Sequence, residues 1–567
     1  MRTPTLLIPF LLFLPHVAAP AAVIEPQGRD TQAIAAAIQQ SQPGDTVRLP
    51  EGTFELAEPL RVTSHRKLIG AGQDKTRLVF TGSKPGVLIS LQGCEAVELA
   101  HLTLDGQNNP LVHQGIVGED GRRLWLHHLT IRNLKAKTWG PHGILFSGQN
   151  PSLERGVTDS RITHCHLENI GLDAEYGGGI RLAWGSDRNH VTDNVIHGTG
   201  RGGIFGDHSS ELVIRNNRVS GSGGEGLGIE IWGGCPRSLI EDNVVDHWLS
   251  VDQGSQSAVR RNTIGTADGT LKGYGIEIIA RDVIVTDNVV LRGAHIGLSV
   301  SNQSVKNNVF WGYNTIRDCV QFGAQHQGET GGIAHHYFYR CTFEKTVRGN
   351  ALARYPNDSG HGFRTNGQCR GLVFEDCTFR DNGGYGVQLG GPNVDALQFR
   401  RCEIIGNGLD AVTRPAAYSA LEFSDCQVRG NQRDQLPDAK PFSSAAPVAE
   451  FQIPEGIQAG KPAQFRCTSR ASVGTLVDRL WDFGHGIAEV AAEPTKTFDQ
   501  PGKYRVTLIV WDGAGRGGRT EKLIEVGRGF PVEGLKPRSR SLAEAGSWKC
   551  CGQRHPPAKA GGRQGVG

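Results

Sequence analysis

Short runs of alternating apolar and polar residues fill most of this 567-residue chain, and the runs recur. VTDNVI, IRNNRV, IEDNVV, VRRNTI, VTDNVV and VKNNVF, then FYRCTF, FEDCTF, FRRCEI and FSDCQV, share one template. It reads apolar, two or three polar residues, Asn or Cys, any residue, then apolar. The slots are Asn194, Asn217, Asn243, Asn262, Asn288, Asn308, Cys341, Cys377, Cys402 and Cys426, spaced 19 to 36 residues apart. ITHCHL extends the series back to Cys165, and LHHLTI and LAHLTL put Leu129 and Leu102 in the same slot. Self-similarity at such a period marks a solenoid or a propeller. The absence of an amphipathic helix within the repeat argues for strands, and the irregular spacing suits a coil whose loops vary while its strands stay in register. Asn side chains stacked in one slot would hydrogen-bond from turn to turn, and small, readily buried Cys suits the same internal position. Asn194, Asn217, Asn243 and Asn288 are therefore expected to point inward at one corner.

A second column precedes the first. The strands GIRLA, GIFGD, GIEIW, SVDQG, GIEII, GLSVS, CVQFG, GFRTN and GVQLG each place one residue on the outer face between two inward ones. These are Arg181, Phe205, Glu230, Asp252, Glu277, Ser299, Gln321, Arg364 and Gln388. Three consecutive turns then carry Glu230, Asp252 and Glu277, about 4.8 Å apart per turn. Like charges at that spacing repel and raise at least one pKa. Protonating one member or binding a cation relieves the strain, so the row suits acid/base cleavage of a glycosidic bond or a Ca²⁺ site. Arg181 and Arg364 read as forks for a substrate carboxylate, Trp184 and Trp232 as platforms for sugar rings, and His208 as an acid or base active near neutral pH. His361 falls in a long insertion with His326, His335 and His336, read as a groove wall. Their spacing matches no metal motif, so no metal ligand is assigned among them.

The ends differ from the middle. DTQAIAAAIQQSQPGDTVRLPEGTFEL begins with an amphipathic helix suited to closing the open end of a coil. Together with the repeats, it resembles the pectate-lyase-like superfamily of right-handed parallel β-helices over residues 24–435. After a Pro-, Ser- and Ala-rich linker, residues 436–448, the stretches WDFGHG and PGKYRVTLIVWD resemble the polycystic-kidney-disease (PKD) repeat, an immunoglobulin-like sandwich, over residues 449–527. His485 stands where that family usually carries an acidic residue. The expected fold is all-β: a single-stranded right-handed parallel β-helix followed by a small β-sandwich. Each part is expected to own its core, so that removing residues 445–567 leaves the coil folded.

Composition adds bounds. Residues 528–567 hold eight Lys or Arg against two Glu, so a formal net charge of +3 conceals a basic tail and a body at −3. That body does not suit nucleic acid. The first residues combine Arg2, an apolar run from Leu6 to Leu14 and small residues, the layout of a secretory leader over residues 1–21 and too short for a membrane span. No phosphate-binding loop, dinucleotide fingerprint or nucleophile elbow occurs. The expectation is an exported, monomeric, carbohydrate-active enzyme that cleaves glycosidic bonds by hydrolysis or elimination. Its partner is a polysaccharide, acidic if the arginines bind uronates, and its only cofactor candidate is Ca²⁺. The resemblance also admits a uronate epimerase, and a non-catalytic glycan-binding surface protein is the reading from another class. The superfamily's pectin-hydrolase motifs are not assembled here. Cysteine pairing among Cys341, Cys377, Cys402 and Cys426 stays open.

Overall fold

A computed structural model describes residues 20–528, apart from 137–139, 224–225, 247, 266–272, 292–294, 301–305, 328–332 and 392. The expected leader and basic tail therefore lie almost wholly outside the described residues. Each turn of the coil is built from three short strands, as in Val213–Arg215, Arg218–Ser222 and Leu227–Trp232. Each strand pairs in parallel with its counterpart in the next turn: Val213 with Leu239, Arg218 with Val244, Ile229 with Leu249. The third strands of successive turns form a 13-stranded sheet, here the site sheet; the first two rows join in a 29-stranded sheet. Alternation sends Ile214, Val219, Ile229 and Ile231 into a continuous core along the coil axis. The helix Thr31–Gln40 is capped by Asp30, whose carboxylate accepts from Ala33 N at 2.8 Å, and buries Ile34, Ala37 and Ile38 against the first turns.

The corner between the first two strands explains the Asn slot. The residue before it takes a left-handed conformation, at Asp193, Asn216, Asp242, Arg261 and Asp287. Asn and Asp enter that region more readily than most residues. The next residue, Asn, turns inward and is buried. Asn217 Oδ1 accepts from Asn194 N at 3.1 Å and from Asn194 Nδ2 at 3.0 Å, and the pattern repeats through Asn243, Asn262 and Asn288. Each amide also donates to a carbonyl of the preceding turn, as Asn217 Nδ2 does to Val191 O at 2.9 Å. The ladder satisfies buried polar groups that the corner would otherwise orphan.

One slot is corrected. The ladder passes from Asn288 to Asn314, 26 residues on, and then to Cys341, not through Asn308. Asn308 instead has a left-handed backbone and donates to Asp282 Oδ1 and Arg479 O. Below it Cys341, Cys377 and Cys402 are buried thiols, and the ten described cysteines are all unpaired.

The sandwich, strands Phe451–Gln452 to Gly517–Val526, has its own core around Phe465, Trp481, Phe483 and Leu508. It also shares one with the coil. Leu239, Ala258, Ile284, Phe310, Tyr337 and Val373, in register along the outer face of the first strands, pack with Leu480, Ala488, Ile509 and Trp511. Arg260 crosses the seam to Asp482 at 2.9 Å and to Gly486 O at 3.1 Å, and Arg519 reaches Glu375 at 3.1 Å. Each part owns a core as expected, and a third cluster joins them: an apolar stripe on the coil takes its cover from the sandwich.

Candidate active site

Glu230 lies in the middle of the strand Leu227–Trp232, facing away from the core between Ile229 and Ile231, which are fully buried. Its register neighbours along the site sheet are Phe205 on one side and Ser250 on the other, followed by Glu277, Ser299, Gln325 and Arg364. The expected column is thus corrected at two positions. Ser250 replaces Asp252, and Gln325 replaces Gln321. Asp252 shares the outer face but pairs with Ile279 and belongs to the next column, which also carries Asp207 beside Trp232. The cause is the strand Leu249–Asp252, in which Leu249 and Val251 take the inward positions.

Around Glu230 the sheet forms a cavity of about 380 Å³ whose walls include Tyr176, Arg201, Arg181, Asp207 and Trp232. Arg201 Nη2 lies 3.6 Å from Glu230 Oε2, and its guanidinium sits over the Tyr176 ring at 5.1 Å. Arg201 and Tyr176 were not singled out in the sequence. Both stand just before the glycines that open their strands, in RGGIF and YGGGI, and that shared position was the available signal. Burial is the largest influence on Glu230 and pushes its carboxyl up to about 7; Glu277, Asp252 and Asp207 push the same way, while Arg201 pulls it down. Its side chain is only 12% exposed.

Glu277 stands two strands from Glu230, about 10 Å along the sheet. Its Oε2 accepts from Trp248 Nε1 and from Ser250 Oγ, both at 3.1 Å. Two donors on one oxygen suit an ionised carboxylate, which only accepts.

The remaining expected residues divide. Arg181 lines the cavity but is ion-paired with Asp207, so it is no spare fork. Asp207 also holds His208, Nδ1 to Oδ1 at 2.6 Å. His208 is stacked on Trp184 with ring centres 4.2 Å apart and meets Trp232 edge-on, beyond the carboxylate wall rather than beside Glu230. Trp184 is occupied by that stack, whereas Trp232 is 45% exposed and lines the cavity. Arg364 lies three strands past Glu277, bound to Asp358 at 2.9 Å and lying over Phe322. His361, 2% exposed, contacts Asp358, stacks on Phe322 and accepts from Tyr385 N through Nδ1, so its ring is packed into the wall. His326 and His336 meet edge-on in the interior, and His335 faces Asp478 of the sandwich, so the expected histidine wall does not form.

Comparison with known proteins identifies the modules. Residues 87–264 match the family described as right handed beta helix region, residues 184–345 the periplasmic copper-binding protein NosD, and residues 444–526 the PKD domain. The coil is a right-handed β-helix and the sandwich a PKD domain. The pre-pro-metalloprotease PrtV of Vibrio cholerae is 38% identical over 82 residues, 14% of this chain and 8% of that protein. Collagenase ColQ1 of Bacillus cereus is 32% identical over 96 residues, 17% of this chain and 10% of that one. The chain therefore spans a tenth or less of the length of these relatives, within the PKD region for PrtV. Among solved structures, the A-module of the Azotobacter vinelandii mannuronan C-5 epimerase AlgE6 is 16% identical, with 71% of this chain and 94% of that one covered and a TM-score of 0.37. No described helix is long and apolar enough to cross a membrane.

Proposed function

We propose that this chain is an exported enzyme that hydrolyses glycosidic bonds of a uronate-containing polysaccharide, with Glu230 as general acid and Glu277 as general base. The observation that carries the reading is Glu230 itself: a carboxyl whose pKa lies near 7, in the wall of a cavity, beside a guanidinium and within reach of solvent. A carboxylic acid that keeps its proton near neutral pH can give it to a leaving glycosidic oxygen. Glu277, fixed by Trp248 and Ser250, takes a proton from the water that attacks the anomeric carbon. A two-strand separation of these carboxyls suits a water between them better than direct attack by one of them. Arg201 supplies the charge for a uronate carboxylate, and the exposed face of Trp232 supplies a ring platform. The step uses no metal; Ca²⁺ stays a proposal for substrate binding, checked by chelation.

The test is a panel of neutral and uronate polysaccharides assayed both for new reducing ends and for the ultraviolet absorbance of an unsaturated product, with and without a chelator. Reducing ends without the unsaturated chromophore, lost in Glu230→Gln, are expected. The chromophore would replace hydrolysis by elimination. Retained binding with neither product on any polymer would make the coil a glycan-binding protein.

A further inference from the structure

Four, three and two turns before the one that carries Glu230, the residue at the left-handed corner is histidine. His101 and His128 adopt φ of 58° and 50° and follow one another in register, and His164 comes next at 55°. Their rings stack: His101 on His128 with centres 4.8 Å apart, His128 on His164 at 5.1 Å and 3° between planes. His127, the residue before His128, turns its buried ring edge-on to both His101 and His128. We propose that His101, His127 and His128 form a three-imidazole site for one divalent transition-metal ion of the Zn²⁺ and Cu²⁺ class.

Three observations support it. One ring nitrogen from each of the three histidines lies within 4.8 Å of those of the other two. Ligand nitrogens about 2.0–2.1 Å from a tetrahedral ion sit closer together than that, so small ring rotations close the set. Next, His127 Nε2 faces Glu98 Oε1 at 3.2 Å. A carboxylate only accepts, so Nε2 carries the proton and Nδ1 presents its lone pair, the arrangement that orients metal-bound histidines. Finally, that Nδ1 accepts a hydrogen bond from His128 Nδ1 at 2.9 Å, and a metal ion would take the place of the shared proton. Trp125 stacks over His127 with centres 4.1 Å apart, while His101 and His128 stay partly exposed, open to an incoming ion. All-nitrogen donors favour Cu²⁺ and Zn²⁺ over Ca²⁺ and Mg²⁺. These residues lie outside 184–345, the region that matches the copper-binding family, and the inference does not depend on the role of Glu230.

The experiment is calorimetric titration of the tag-free full chain, in a Cys550→Ser/Cys551→Ser background that removes the tail thiols, with ZnCl₂, CuCl₂ and CaCl₂ separately. One equivalent of Zn²⁺ or Cu²⁺ is expected, with Cu²⁺ tighter, and no Ca²⁺ uptake that competes with it. Bound Cu²⁺ should show nitrogen hyperfine structure in its paramagnetic resonance spectrum. Glu98→Gln should weaken binding about 10- to 100-fold, and His101→Gln/His128→Gln should abolish it. Absence of stoichiometric binding in the parent chain, or undiminished affinity in the double variant, overturns the site. If circular dichroism shows the double variant unfolded, His101→Gln alone decides, and unchanged affinity there has the same meaning.

Discussion

Arg260 of the coil and Asp482 of the PKD domain form an ion pair at 2.9 Å whose side chains are 2% and 4% exposed. Arg260 also donates to Thr286 Oγ1 and Gly486 O, so its N–H groups find acceptors on both sides of the seam. Removing one partner of such a pair strands the other without water.

Arg260→Met or Asp482→Leu alone should therefore destabilise the protein by about 3–5 kcal/mol. Combining them should recover most of that loss, because two well-packed apolar side chains can replace a buried pair. Denaturant unfolding of the three variants checks it. A double variant as unstable as either single one would mean that backbone geometry at Gly486, not charge, holds the seam.

Truncation after residue 440 should expose Phe310, Tyr337 and Val373, which now pack against Trp511 and Ile509. The coil keeps its internal core, so its β-type circular dichroism should persist, but it should bind a hydrophobic dye and associate. Phe310→Ser/Tyr337→Thr in the truncated chain should restore a monomer by light scattering. A truncated coil that is monomeric without these changes would show that the stripe tolerates water.

The two repeats that place the fold were legible because strand alternation and the inward amide are both local demands. The Asn308 slot failed for an equally local reason. Elsewhere His, Asp, Asn or Arg occupies the left-handed position before the slot, whereas the aromatic Tyr313 occupies it before Asn314, and VKNNVF offered a better-looking match. Asp252 was misplaced because its strand was read as SVDQG. Holding strictly to apolar residues on both sides selects LSV and hence Ser250. Gln325 was hidden by His326, a histidine that takes a fully buried inward position. The docking stripe did leave a trace: VIVT, VFWG, YFYR and LVFE run apolar on both faces where a solvated strand would alternate. Arg201 left almost none, since it reaches Glu230 from a loop whose path only the folded coil defines.

Within the ladder, Asn243→Ala should leave the backbone N–H of Asn217 without a partner and its side-chain amide with Val191 O alone, since both now donate to Asn243 Oδ1, at 2.9 and 3.0 Å. A loss of about 1–3 kcal/mol is expected for each buried group left unpaired. Asn243→Cys should lose less, because Cys already fills this slot at Cys341 and accepts from Asn314 Nδ2 at 3.8 Å. Thermal unfolding ranks the two, and equal losses would show that the corner needs the amide and not merely a small acceptor.

Glu230 makes both the parent's stability and its activity fall as pH rises, and the Glu230→Gln variant separates the two roles. Its carboxyl is pushed from 4.5 up to about 7 on folding. Between those values the folded chain holds a proton that the unfolded chain has released, so the group's contribution is complete below 4.5 and is lost as pH rises through 7. Glu230→Gln should match the parent's stability in acid and exceed it above pH 7, by up to about 3 kcal/mol from a shift of this size. The same proton is the one donated in catalysis. The parent's kcat/KM should fall above pH 7, and Glu230→Gln should lose about 10²–10⁴-fold below pH 7, a gap that narrows as the parent's acid deprotonates. Arg201→Met removes the cation that pulls the carboxyl down, so the alkaline limb should move to higher pH even where KM rises. Melting midpoints and pH–rate profiles of the three proteins decide it. A Glu230→Gln variant that gains stability at alkaline pH yet keeps full activity would leave Glu230 a strained surface carboxyl and remove it from the reaction.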